Sequence, residues 1–415
     1  MKDLPCTEQR LVDIVEEYGT PFHIYDEAGI RYNVKKLQAA FSWNRGFREY
    51  FAVKANANPY LLEILREEGC GADCSSLAEL VLAEAVGWRK EEILFSSNNN
   101  PSEEYAEAHR LEAIINVDDY SHLDDLRVQK HLTDVLCFRY NPGQSGIGNS
   151  IIGEPHEAKY GMTKAQILSA VRWARSVGIR RIGLHTMVVS NELSEDALVS
   201  TADMMFQLAV EVKSECDVCV EMIDLGGGIG IPYHPSEKGI FYERYGQRVR
   251  DLYEKYLSRQ GLGNVAIWLE CGRAITGPYG WLVTKAIRHK NTYKHYIGVD
   301  ASMADLMRPG MYGAYHHISV LGTDQKATHC YDIVGSLCEN NDKFAINRKL
   351  PEIHEGDILV IHDTGAHGYA MGFNYNGKLK SQELLLQTDG AVRRIRRAET
   401  LADYFATLDY PNLPK

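Results

Sequence analysis

From Tyr50 onward, short apolar and β-branched runs alternate with longer segments whose apolar residues recur at three- and four-residue spacing. The short runs predict eight strands, at residues 50–55, 71–74, 93–96, 113–117, 135–140, 181–188, 219–225 and 266–270. The longer segments, among them 59–68, 77–86, 164–177, 196–212 and 242–258, predict amphipathic helices. Eightfold strand and helix alternation reads as an α/β chain folded into a (β/α)8 TIM-like barrel, with a doubly wound open sheet as the competing architecture. After Gly277 the pattern changes to strands at 281–288, 295–299, 317–322, 333–336, 358–361 and 383–387, separated by Gly, Pro, Asn and Asp. The expected organisation is a barrel at 27–277 followed by an all-β C-terminal domain at 278–415. An N-terminal strand at 20–26 is expected to join that β domain.

The chain has 415 residues, 45% of them hydrophobic, which is enough for two cored domains. Its net charge is -11, with acids and bases interspersed. That balance argues against nucleic acid or an anionic membrane as a partner and leaves a small molecule as the expectation. The first residues lack a charged-then-apolar leader and no apolar stretch is long enough to span a bilayer, so a cytoplasmic protein is expected. Nine scattered cysteines suggest free thiols. Cys216 and Cys219 form a C-x-x-C with no second pair at zinc-site spacing, so no metal is expected there.

Lys54 stands inside the apolar run Tyr50-Phe51-Ala52-Val53-Lys54-Ala55. A buried ammonium is costly, and burial lowers a lysine pKa, which would make the amine a nucleophile for an aldehyde. A lysine snorkelling from a strand end is the plain alternative. Other polar residues also close predicted strands, where a barrel gathers its catalytic groups: Asp73 and Ser75, Arg139 and Asn141, His185 and Ser190, and Glu270 with Arg273. Gly226-Gly227-Gly228 after the seventh strand suits close approach to a phosphate, although Ile231 spoils a dinucleotide fingerprint. Beside an aldehyde-bearing cofactor, Glu270 could hold a pyridine nitrogen protonated and Arg273 could bind a phosphate or carboxylate; a local salt bridge between the two is the plain alternative.

Five ordered segments carry a resemblance: Phe51 to Asn56, Gly71 to Ser76, Gly226 to Gly228, Glu270 to Arg273 and Cys338-Glu339-Asn340-Asn341-Asp342. Together they resemble the fold-type-III pyridoxal-phosphate decarboxylases, most closely the diaminopimelate decarboxylases, over about residues 20 to 405. The resemblance implies pyridoxal 5'-phosphate as cofactor, with Lys54 bonding its aldehyde, Glu270 at its ring nitrogen and Gly226, Gly227 and Gly228 around its phosphate. It places Asp73, His185, Ser190, Gly272, Arg273 and His367 among the cofactor-binding residues. It further implies a homodimer in which Cys338, as proton donor, and Glu339 reach the other subunit's site. Arg308-Pro309-Gly310-Met311-Tyr312 matches the family's Arg-Pro-x-x-Tyr segment. Arg273, Arg308, Tyr312 and Glu339 are therefore the candidates for holding the far end of an amino-acid substrate.

The chain departs from that pattern at several positions. Met187 stands where the family carries a ring-stacking histidine, Val189 where it carries glycine, Cys271 where it carries proline, and His367 where it carries a phosphate-contacting tyrosine. The implied reaction is decarboxylation of meso-2,6-diaminopimelate to L-lysine. The alternatives are decarboxylation of another basic amino acid or polyamine precursor (ornithine or lysine in either configuration, or carboxynorspermidine), amino-acid racemisation, and non-catalytic cofactor binding.

Overall fold

The computed structural model describes residues 2–143, 155–323 and 327–414, which divide into two compact units. One comprises residues 31–231 and 238–275; the other comprises residues 1–30, 232–237 and 276–415.

The first unit is a closed barrel of eight parallel strands, β2 to β9, with helices between them. The strands are β2 (Arg48–Ala52), β3 (Gly71–Cys74), β4 (Ile93–Ser96), β5 (Ile114–Val117), β6 (Val135–Tyr140), β7 (Arg181–Thr186), β8 (Met222–Asp224) and β9 (Ala266–Leu269). Pairing of Arg48 with Trp268 closes the ring. Because side chains alternate along a strand, residues two apart share a face. Tyr50, Leu94, Ile114, Val135, Cys137, Met222 and Trp268 form one buried apolar cluster. Two positions further on, the same faces carry Ser96, Asn116, Arg139, Asp224 and Glu270. The barrel interior thus changes from apolar to polar toward the C-terminal ends of its strands.

The second unit is a nine-stranded sheet, with β1 (Phe22–Asp26) inside it and paired antiparallel with β10 (Gly280–Asn291). β1 also pairs in parallel with β16 (Gln382–Leu386), so the chain's first strand lies between two of its latest. The order along the sheet is β14-β13-β11-β10-β1-β16-β17. Here β11 is His295–Val299, β13 is His329–Val334, β14 is Lys343–Leu350 and β17 is Val392–Arg396. β12 (Ile318–Val320) pairs with β15 (Ile358–Ile361), which pairs with β10. The helix Glu8–Tyr18, unanticipated from the pattern, packs Leu11, Ile14 and Val15 onto Phe22, Ile24, Trp281 and Val283.

Two expectations need correction. The first barrel strand stops at Ala52, and Lys54 lies on a single 3₁₀ turn, Val53–Ala55, beyond it. β14 and β17, at the two ends of the strand order, were not expected.

Candidate active site

The turn after β2 lifts Lys54 out of the strand, and its side chain is 51% exposed rather than sealed in the core. Its Nζ lies 3.1 Å from Oδ2 of Asp73, at the end of β3, whose own side chain is fully buried. The expectation of a lowered pKa is overturned. Enclosure pulls the ammonium down, but the carboxylates of Asp73 and Glu270 outweigh it, and the net shift is upward. Asp73 also moves up, to about 7, because burial and the nearby Glu270 charge outweigh the attraction of Lys54. Its Oδ1 is buried without a hydrogen-bond partner.

Glu270 follows β9 and is almost entirely buried. Its Oε1 accepts from Ser96 Oγ (3.2 Å), which in turn accepts from Asn116 Nδ2 (3.0 Å), and its Oε2 pairs with His185 Nε2 (3.1 Å). Burial alone would raise this carboxyl, but His185 and Lys54 hold it well below the usual range, so Glu270 is an anion. His185 therefore acts on the site through Glu270. Ser96 and Asn116 were missed in the sequence. The signal for both is parity, since each lies two residues beyond an inward-facing apolar side chain.

The glycine run after β8 crosses this end of the barrel at backbone contact. A Cβ at Gly226 would stand 2.3 Å from Thr186 O, one at Gly227 2.3 Å from Glu270 O, and one at Gly228 2.5 Å from Val189 O. Gly226 and Gly228 also have φ of 72° and 90°, which a side chain would strain. The Gly226 amide is already given to Asp224 Oδ1 (2.8 Å), so this residue shapes a cradle by lacking a side chain rather than by offering its N–H. Met187 brings its sulfur beside Gly226. Gly272 packs onto Ala52 and Ala55, which sets the turn carrying Arg273 against the turn carrying Lys54. Arg273 opens the short helix Arg273–Thr276 and is half-buried, as is Ser190 in the loop after β7. Arg139 donates to Asp118 (3.2 Å) and stacks on Tyr160.

The remaining candidates belong to the β unit. Arg308 is buried; its Nη1 donates to Tyr233 Oη (2.8 Å) and lies 3.0 Å from His316 Nε2. Tyr312, four residues on, is 66% exposed. The loop of Cys338 and Glu339 is brought to this helix at Gly310, where a Cβ would stand 2.2 Å from Asn341 O. Asp342 fixes that loop by accepting from Met303 N and Leu337 N, both at 2.9 Å. Cys338 is an exposed free thiol. The segment of Arg308 and Tyr312 and the loop of Cys338 and Glu339 thus meet at Gly310 within the β unit. His367 lies half-buried in the loop after β15, with φ 56°. Cys216 ends a helix and Cys219 is exposed before β8.

A half-exposed lysine, an unpartnered buried carboxylate oxygen, a side-chain-free glycine cradle and a buried anion supported by histidine suit a phosphorylated aromatic aldehyde. Residues 27–277 match the family described as pyridoxal-dependent decarboxylase, pyridoxal binding domain. The chain is 40% identical to Protein TabA of Pseudomonas amygdali pv. tabaci over 98% of its own length and 97% of that protein's. It is 34% identical to the diaminopimelate decarboxylase of Methanothermobacter thermautotrophicus, covering 96% of this chain and 94% of the relative. Among solved structures, the diaminopimelate decarboxylase of M. jannaschii in complex with L-lysine superposes with a TM-score of 0.90 at 29% identity, covering 97% of this chain and 94% of that one. No helix among the described residues is long and apolar enough to cross a membrane.

Proposed function

Because the chain belongs to the pyridoxal-dependent decarboxylases, enzymes whose cofactor is pyridoxal 5'-phosphate, we propose that it decarboxylates meso-2,6-diaminopimelate to L-lysine. The observation that carries this reading is similarity along the whole chain to diaminopimelate decarboxylases, in sequence and in fold.

When bound, pyridoxal phosphate supplies an aldehyde that captures amines and a ring that draws electrons from the bond being broken. In this reading Lys54 is the amine that holds the aldehyde, and Asp73, 3.1 Å away, orients its Nζ. Glu270 holds a proton on the ring nitrogen, since an anion kept in place by Ser96 and His185 favours the protonated pyridine. Gly226 to Gly228 leave room for the phosphate, with Arg273 and Ser190 as further contacts. Arg308 and Tyr312 hold the substrate's distal carboxylate. Cys338 delivers a proton to the α-carbon in a homodimer, acting with Glu339 at the partner's barrel.

Met187 and the similarity to Protein TabA favour a second reading, in which the same chemistry acts on another amino acid. An assay of carbon dioxide release from meso-diaminopimelate, lysine, ornithine and carboxynorspermidine separates the two. Release from meso-diaminopimelate supports the first reading, and release from another of these compounds alone supports the second. Exchange of the α-hydrogen without carbon dioxide release would indicate a racemase and overturn both.

A further inference from the structure

Asp224 is a carboxylic acid that none of these roles uses. It ends β8 and is fully buried, and one atom each of His185, Asp224 and Glu270 lie within 4.8 Å of one another. Its Oδ1 accepts the Gly226 amide at 2.8 Å, while its Oδ2 is buried with no partner. Two buried carboxyl groups this close cannot both ionise cheaply, so one of them keeps a proton. Glu270 is the one with donors on both oxygens, from Ser96 and His185. Asp224 has one donor, on Oδ1 alone.

We infer that Asp224 is a positioning residue, held as the neutral acid against Glu270 so that Glu270 remains the anion that would meet a cofactor's ring nitrogen. The inference rests on the proposed role of Glu270. A carboxylate offers about four lone-pair sites. Ser96 and His185 occupy two, Asp224 stands within 4.8 Å in the same cluster, and sites are left for a ring N–H. Glu49 on β2, Asp73 on β3, Cys137 on β6 and Cys271 after Glu270 are the other titratable groups acting in this part of the barrel. These acids and thiols disfavour a second negative charge, whereas the cations Lys54 and Arg139 act on Glu270 and favour its ionisation. Burial and the Glu270 charge push Asp224 well above the usual carboxylate range, in agreement with the geometry. The same geometry ties the glycine run to the acid: Asp224 Oδ1 holds Gly226, and Gly226 O accepts the Glu270 amide at 2.9 Å.

The test uses the conservative variant. Asp224→Asn keeps an acceptor for Gly226 and a donor toward Glu270, so it mimics the neutral acid and no other state. In the holoenzyme at neutral pH, infrared difference spectra between wild type and Asp224→Asn should show the carbonyl band of a protonated carboxyl in wild type. That band should also disappear in Glu270→Gln, where Asp224 is free to ionise. Asp224→Asn should keep cofactor affinity, read from the visible absorbance of the bound cofactor, within about threefold. Asp224→Ala should weaken it about tenfold or more, the worth of a hydrogen bond to a charged group. A wild type without the acid band, or an Asp224→Asn as impaired as Asp224→Ala, would overturn the inference. Both readouts are independent of turnover, so a holoenzyme that shows the band but releases no carbon dioxide would refute the function and leave Asp224 as inferred. If instead Glu270→Gln leaves the cofactor absorbance and its pH dependence unchanged, the fault lies with the role of Glu270.

Discussion

Lys54 is governed by its neighbours' charge more than by its burial. An amine raised by Asp73 and Glu270 rests as an ammonium. Replacing Lys54 with Ala should abolish both the visible absorbance of the loaded protein and its turnover; a variant that kept the band would remove Lys54 from its role. Glu270→Gln should lower kcat by about 10²–10³-fold, as expected for losing one fixed charge in a water-poor site. Gly227→Ala would place its methyl 2.3 Å from the Glu270 carbonyl. It should cost about 1–3 kcal/mol in urea unfolding and weaken cofactor binding, because relieving the clash moves Glu270.

At the scale of elements, β1, β16 and β17 meet in one buried polar contact. Tyr25 donates to Glu383 at 2.6 Å, and Arg396 pairs with the same carboxylate, which is fully buried. Arg396→Met should destabilise the protein toward the lower end of the roughly 3–5 kcal/mol for breaking a buried pair, since the arginine is 40% exposed. His362, just beyond β15, adds a pH dependence. Burial first, then His317 and Lys2, depress it from the ordinary 6.5 to about 3. A depressed histidine contributes stability above about pH 6.5 and loses it as pH falls toward 3, at up to about 1.4 kcal/mol per pH unit. Between pH 7 and 5 the wild type should therefore lose about 2 kcal/mol more than His362→Gln in urea unfolding. The strand pattern was legible where strands are buried on both faces, as in the barrel. It failed for β14 and β17, where Lys343-Phe344-Ala345-Ile346-Asn347-Arg348 and Val392-Arg393-Arg394-Ile395-Arg396 carry the charges that protect sheet edges and mask alternation.

For the whole molecule, the catalytic candidates divide between the units. Lys54, Asp73, His185 and Glu270 belong to the barrel, and Arg308, Tyr312, Cys338 and Glu339 to the β unit. Motif order pointed to these residues as candidates. It did not show that Arg308 is engaged by Tyr233 and His316, or that Lys54 is raised, since both depend on partners distant in sequence. A homodimer with shared sites predicts that mixing inactive Lys54→Ala and Cys338→Ala subunits restores about a quarter of wild-type activity, one intact site in half of the dimers. No recovery on mixing would place each site within a single chain. The central claim is tested most directly by incubating the cofactor-loaded protein with meso-2,6-diaminopimelate and following both products. Equal amounts of carbon dioxide and L-lysine, lost in Lys54→Ala, are predicted; substrate left intact while another amino acid is decarboxylated would contradict the account.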